Sequence, residues 1–390
     1  MRIPARVSLL ASVLSLSLSA VAAGGLPHAS AQPDRTGYVY VNDNTAGTNT
    51  IAAFSRGDDG GLAPLPGSPF SAGGAGTGAI LGSAGAIQLT NDGRYVLAVD
   101  AGSSQISILQ VGPGGALQAI GSPVSSGGIE PVSLAVHGDL VYVANEGNGA
   151  TGSNYTGFIL GPGGQLTPIA NSTVALPPTA APGDIVFNAT GTHVIGTEVG
   201  PSAGPSFIDS FVVGSDGRLT AAPGSPFPAQ AVGPFGSAFS PENPNQLYVS
   251  NAHAGANLGT VSAYNVGSDG TLAGIGASPF PDKQTAPCWV EISPDGRYLF
   301  AVNTAVPSIS RYHILDDGSL SLIGSTVFND PTGLRPFDLR LDPRGNSLYV
   351  VDAGLARVSA FTVRGGRLHE IAASPIALPT GATPFGIVVD

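Results

Sequence analysis

Seven variants of one twenty-residue phrase run through the chain, and they constrain its fold more than any other feature. The phrase reads IAAFSRGDDGGLAPLPGSPF over Ile51–Phe70, IDSFVVGSDGRLTAAPGSPF over Ile208–Phe227 and VSAYNVGSDGTLAGIGASPF over Val261–Phe280. Drifted copies start at Ile106, Thr156, Ile309 and Val358. A period of roughly 45–58 residues with strand-type content marks a repeat architecture, in which each unit buries its apolar faces against its neighbours.

Each unit carries four short strands. The first follows a proline, as in PCWVEIS at Pro287–Ser293, PFDLRLD at Pro336–Asp342 and PFGSAFS at Pro234–Ser240. A turn such as Pro294–Arg297 leads into the second strand, which ends at Asn303. Asp-Gly at such a place signals a tight turn between strands. The two halves of the phrase supply the third and fourth strands, joined by Ser215–Gly217 or Ser268–Gly270. With no helical periodicity between them, these units predict an all-β fold, a seven-bladed β-propeller of four-stranded antiparallel blades. The second strand Gly37–Asn42 has no first strand before it, and Pro384–Asp390 is a first strand with nothing after it. The C-terminal strand is therefore expected to complete the first blade and close the ring, which removes exposed sheet edges.

Arg2 and Arg6 precede an apolar run, Val7 to Ala23, and Ala29-Ser30-Ala31 is a small-x-small cleavage site. This predicts a signal peptide over 1–31, a propeller domain over 32–390 and a secreted product. Losing two arginines and no acids takes the net charge from −11 to −13. Such a surface repels nucleic acid and anionic membranes, so neither is expected as a partner. Cys288 is the only cysteine, so no internal disulfide forms. Five histidines remain after cleavage, none at metal-ligand spacing, and neither metal nor cofactor is expected. A monomer is expected. Gly200-Pro201-Ser202-Ala203-Gly204 fits a serine-hydrolase elbow, but that elbow needs a strand-to-helix turn and here joins strands.

SPDGRYLFAVN at Ser293–Asn303, the Tyr-Val-x-Asn strand ends at Tyr142–Asn145 and Tyr248–Asn251, and the DGxL turns resemble the seven-bladed lactonase family. That family includes 6-phosphogluconolactonase and 3-carboxymuconate cyclase-type proteins. The resemblance covers essentially the whole mature chain. It implies an enzyme that hydrolyses or forms a small sugar or carboxylated lactone. It also implies histidine and arginine at the start of inner strands, often as Pro-Arg-His. The matching runs here are Pro234-Phe235-Gly236, Pro336-Phe337-Asp338 and Pro384-Phe385-Gly386, so those groups are absent. The competing expectation is a non-catalytic extracellular propeller that binds a small molecule, a carbohydrate-like ligand or a protein.

Inner strands line a propeller's channel, and residues two and four after each proline share one side of the strand. Those positions hold Ser133, Asp184, Trp289, Glu291, Asp338 and Arg340. Glu291 and Asp184 are the candidate general bases. Arg340 and Arg335 could fork onto a carboxylate, with Asp338, Trp289 and Glu130 completing the binding set. Glu130 and Arg335 directly precede prolines and are placed at the channel mouth. Against this, Glu291 and Arg340 occupy equivalent places in neighbouring blades and could simply pair with each other. Asn42, Asp100, Asn145, Glu198, Asn251, Asn303 and Asp352 end the second strands and are read as turn-shaping residues. Glu198 is too long for that task.

Overall fold

Proline opens most inner strands because the first residue of a strand can dispense with its N–H. The second strands, covered on both faces, read as apolar runs that end in one polar residue. The computed structural model describes Met1 and residues 35–390, except 202 and 203. The predicted leader beyond Met1, and Ser202 of the hydrolase-type motif, lie outside the described residues.

Seven antiparallel sheets form the seven blades. In chain order, the inner strands of blades 2 to 7 are Ile87–Leu89, Pro131–His137, Pro182–Phe187, Pro234–Phe239, Pro287–Ile292 and Pro336–Leu341. Blade 1 takes its inner strand, Ile387–Val389, from the far end of the chain. That strand pairs antiparallel with Arg35–Asn42, matching Val39 to Val389 and Val41 to Ile387. Arg56 Nη2 secures the join by donating to the Asp390 carbonyl at 2.9 Å. The ring is thus closed as expected.

One detail departs from the four-strand reading. In six blades a further two-residue strand folds back onto the third strand, as Phe227–Pro228 does on Phe207–Val213. Blade 6 instead has one unbroken outer strand, Leu320–Val327. Among the described residues no helix is long and apolar enough to cross a membrane.

The glycine turns do more than reverse the chain. At every blade junction a side chain donates to a carbonyl in the turn before the next blade's outer strand. Tyr40, Tyr142, Tyr248 and Tyr349 reach Gly115, Gly217, Gly318 and Gly60 at 2.8 to 3.0 Å. Tyr95 reaches Pro162, Ser210 reaches Gly270 and Arg311 reaches Gly366. The seven bonds make a circuit, with Tyr349 linking blade 7 back to blade 1. A net hydrogen bond of this kind contributes about 1 kcal/mol.

Deleting residues 384–390 should leave blade 1 without its inner strand and give an aggregating or unfolded chain. A soluble truncation with a cooperative melt would contradict the closure. Tyr248→Phe, which keeps the ring and removes one clasp, should cost about 1 kcal/mol in denaturant unfolding.

Candidate active site in the central channel

The inner strands run from the loop-rich face toward the face of tight turns. Their second halves and the turns that follow enclose a cavity of 440 Å³. Asp184, Trp289, Glu291 and Arg340 all line it, so four of the predicted site residues do meet. Gln88 from blade 2 and Ser237 from blade 5 join them.

Each charge in the cavity is held by neighbouring blades. Arg340 Nη1 contacts Glu291 Oε2 at 3.1 Å, and the Leu341 N–H donates to Glu291 Oε1 at 3.2 Å. The Arg340 guanidinium also lies 5.3 Å from the Trp289 ring centre, in cation–π range. Glu291 and Arg340 therefore form the inter-blade ion pair that their equivalent positions suggested. Desolvation raises the Glu291 carboxyl, and the Arg340 charge works against that rise.

Asp184 is fixed from both sides. Ser133 Oγ donates to its Oδ1 at 3.1 Å, and the Ser237 N–H and Oγ donate to its Oδ2 at 2.8 and 2.7 Å. Burial pushes its pKa up to about 6, although these bonds pull it down. It is thus a carboxylate near neutrality that can still take a proton.

The other end of the channel is filled. The connection from blade 1 to blade 2 crosses it: Ser83 Oγ donates to the Val132 carbonyl, and the Ala84 N–H to the Gly183 carbonyl of blade 4. Leu81 joins Phe235, Phe337 and Phe385 in one buried apolar cluster with Trp289. The Phe337 and Phe385 rings pack at a tilt of 56° with centres 5.0 Å apart. The phenylalanines that stand where Pro-Arg-His was expected are therefore a plug. Glu130 and Arg335 begin their strands at this plugged end, away from the cavity, and Arg335 is exposed. Asp338 does not line the cavity either; it is buried beside the Gly85 and Gly386 backbone, and burial pushes it up to about 8. Its oxygens make no well-aligned hydrogen bond. The Cys288 thiol is buried and pushed up to about 12, which leaves it unreactive.

The seven second-strand ends are all buried. Asn303 donates to Ser308 and Ser310, Asn251 to Thr260 and Ser262, and Asp352 accepts from the Arg335, Gly354 and Leu355 backbone. They brace loops and third strands. Glu198 differs because it faces Asp209, which accepts the Tyr155 hydroxyl at 3.0 Å. Burial, then the Glu198 charge, raise Asp209. Among the described residues no group of three or more acids, histidines or cysteines could hold a metal.

Gln88 was missed in the sequence because its strand has no proline marker; Ile87 follows Ala86. Only the alternation of the short strand Ile87–Leu89 could have suggested it.

Comparison with known proteins agrees with this architecture. The family model described as a lactonase, 7-bladed beta-propeller, matches residues 237–388. No curated protein matches the sequence. A Bacteroides uniformis structure, assigned provisionally as a 6-phosphogluconolactonase, gives a TM-score of 0.71 at 20% identity over 91% of this chain and 99% of that one. The periplasmic gluconolactonase of Pseudomonas aeruginosa gives 0.68 at 16% identity, over 90% and 98%. A hypothetical selenium-binding protein from Sulfolobus tokodaii gives 0.61 at 12% identity, over 92% and 94%.

Several buried acids share one consequence. Burial raises Asp43 to about 7, Asp184 and Asp282 to about 6 and Asp338 to about 8. The native state then keeps protons that the unfolded chain releases near pH 4. Stability is full below pH 4 to 5 and falls as pH rises through the raised values. The melting temperature should be higher at pH 4.5 than at pH 8, by roughly 5 °C or more, with Asp338→Asn flattening the slope. Calorimetry at the two pH values checks this; an equal or higher melting point at pH 8 would contradict it.

Proposed function

We propose that this lactonase-like seven-bladed propeller hydrolyses a small lactone in the channel cavity, entered from the tight-turn face. The observation that carries the reading is the meeting of Asp184 with the Arg340–Glu291–Trp289 group in one cavity. The gluconolactonase name of a fold neighbour is consistent with it.

In this reaction Asp184 takes a proton from water as the water oxygen attacks the lactone carbonyl carbon. The carbonyl oxygen becomes an oxyanion beside the Arg340 guanidinium, whose position Trp289 and Glu291 fix. The ring C–O bond then breaks, and the departing alkoxide takes the proton back from Asp184. The product is an open hydroxy acid, with atoms and charge balanced. Glu291 is a weaker candidate base, because its carboxylate is held in an ion pair with Arg340, whereas the partners of Asp184 are neutral.

The competing reading is a non-catalytic binding propeller. One observation favours it: Phe235, Phe337 and Phe385 fill the channel end where reactive groups were expected. Exported localisation belongs to the same proposal and rests on the residues 2–31. A product recovered from culture medium should begin near Gln32 on N-terminal sequencing; retention of Met1 would refute export by this leader.

Purified protein should accelerate lactone hydrolysis, with a rate that rises through about pH 6 as Asp184 ionises. Asp184→Asn should lower kcat by about 10²–10³-fold, and Arg340→Ala should do the same if it stabilises the oxyanion. Activity that survives in a folded Asp184→Asn variant would remove it as the base. No turnover of any lactone would favour the binding propeller.

A further inference from the structure

The cavity's charges and spent hydrogen bonds say more about its ligand than its shape does. Asp184, Ser237 and Glu291 are committed to one another's blades. Arg340 Nη1 is committed to Glu291. Arg340 Nε and Trp289 Nε1 are sealed from solvent, and Trp289 is turned to Glu291. Besides the remaining lone pair with which Asp184 would meet water, two groups keep free capacity: Arg340 Nη2 and the Gln88 side-chain amide, which form no hydrogen bond with the described protein. Both also border a second cavity of 320 Å³ with Asn91, Val388 and Asp390, so they face both spaces.

Charge points the same way. The charged residues lining the first cavity are Asp184, Glu291 and Arg340, and the second adds Asp390. Its single cation is already neutralised by Glu291. A carboxylate or phosphate ligand would have to displace Glu291 or sit uncompensated among acids, and a buried unpaired charge costs several kcal/mol. A hydroxyl both donates and accepts, and so does a glutamine amide. A neutral carbonyl oxygen accepts from a guanidinium without needing its charge cancelled.

We infer that this site takes an uncharged, hydroxyl-bearing lactone and turns away anionic ones. Arg340 Nη2 receives the carbonyl oxygen and Gln88 reads a ring hydroxyl. This rests on the hydrolase reading above and narrows it, replacing the carboxylate-gripping role first expected of Arg340.

The test compares D-glucono-1,5-lactone, δ-valerolactone and 6-phosphoglucono-1,5-lactone as substrates of the full-length protein. The hydroxylated neutral lactone should exceed each of the others by about tenfold or more in kcat/KM. Gln88→Leu should raise the KM for gluconolactone and reduce its advantage over valerolactone about tenfold, while Gln88→Asn, which keeps an amide, should retain part of it. Equal or better use of the phosphorylated lactone, or an unchanged ratio in folded Gln88→Leu, would overturn the inference. If no lactone is hydrolysed, the hydrolase reading fails and calorimetry decides this one separately. Myo-inositol should then bind more tightly than its monophosphate and lose affinity in Gln88→Leu; no binding of either, or tighter binding of the phosphate, would overturn it.

Discussion

Closing seven twisted sheets into a ring brings seven inner strands together at one axis, and every functional feature follows from that convergence. The ring is joined by Ile387–Val389 on Arg35–Asn42 and locked by Arg56 on Asp390. Once it is closed, positions two and four after each proline meet across blades that lie far apart in sequence. Ser133 and Asp184, both at position two, meet Ser237, at position three of a strand whose register shifts after Pro234, only because blades 3, 4 and 5 are neighbours around the axis. Their energetic value depends on the same enclosure. Three donors on one carboxylate offset part of the burial cost that otherwise keeps it protonated.

The plug decides which end of the channel can work. Leu81 and the three phenylalanines gain apolar burial at the loop-rich face, at about 25 cal/mol for each Å² removed from water. Their position separates Glu130 and Arg335 from Asp184, Glu291 and Arg340. The channel therefore has a charged rim at one end and, at the other, a cavity whose cation is already paired.

The fold was largely legible in the sequence. Repetition sets the blade number, Asp-Gly turns set the strand order, and the orphan strands at Gly37–Asn42 and Pro384–Asp390 announce the closure. Period-two alternation also placed Asp184, Trp289, Glu291 and Arg340 on the channel side. It did not separate Asp338 from them, because direction is a property of one strand and access is a property of the packed ring. It passed over Gln88, whose strand lacks the proline that marks the others. The role of Glu198 became clear only when Asp209 and Tyr155 were seen against it.

Turn chemistry and alternation act through near neighbours in the chain, and they suffice to specify a seven-bladed ring, its closure and the faces of its inner strands. Packing of the whole ring sets which channel end is filled, that Glu291 and Arg340 spend their charges on each other, and that Gln88 and Arg340 Nη2 keep unspent hydrogen-bonding capacity. Those outcomes depend on which side chains from different blades compete for the same few ångströms at the axis, and no local pattern encodes that competition.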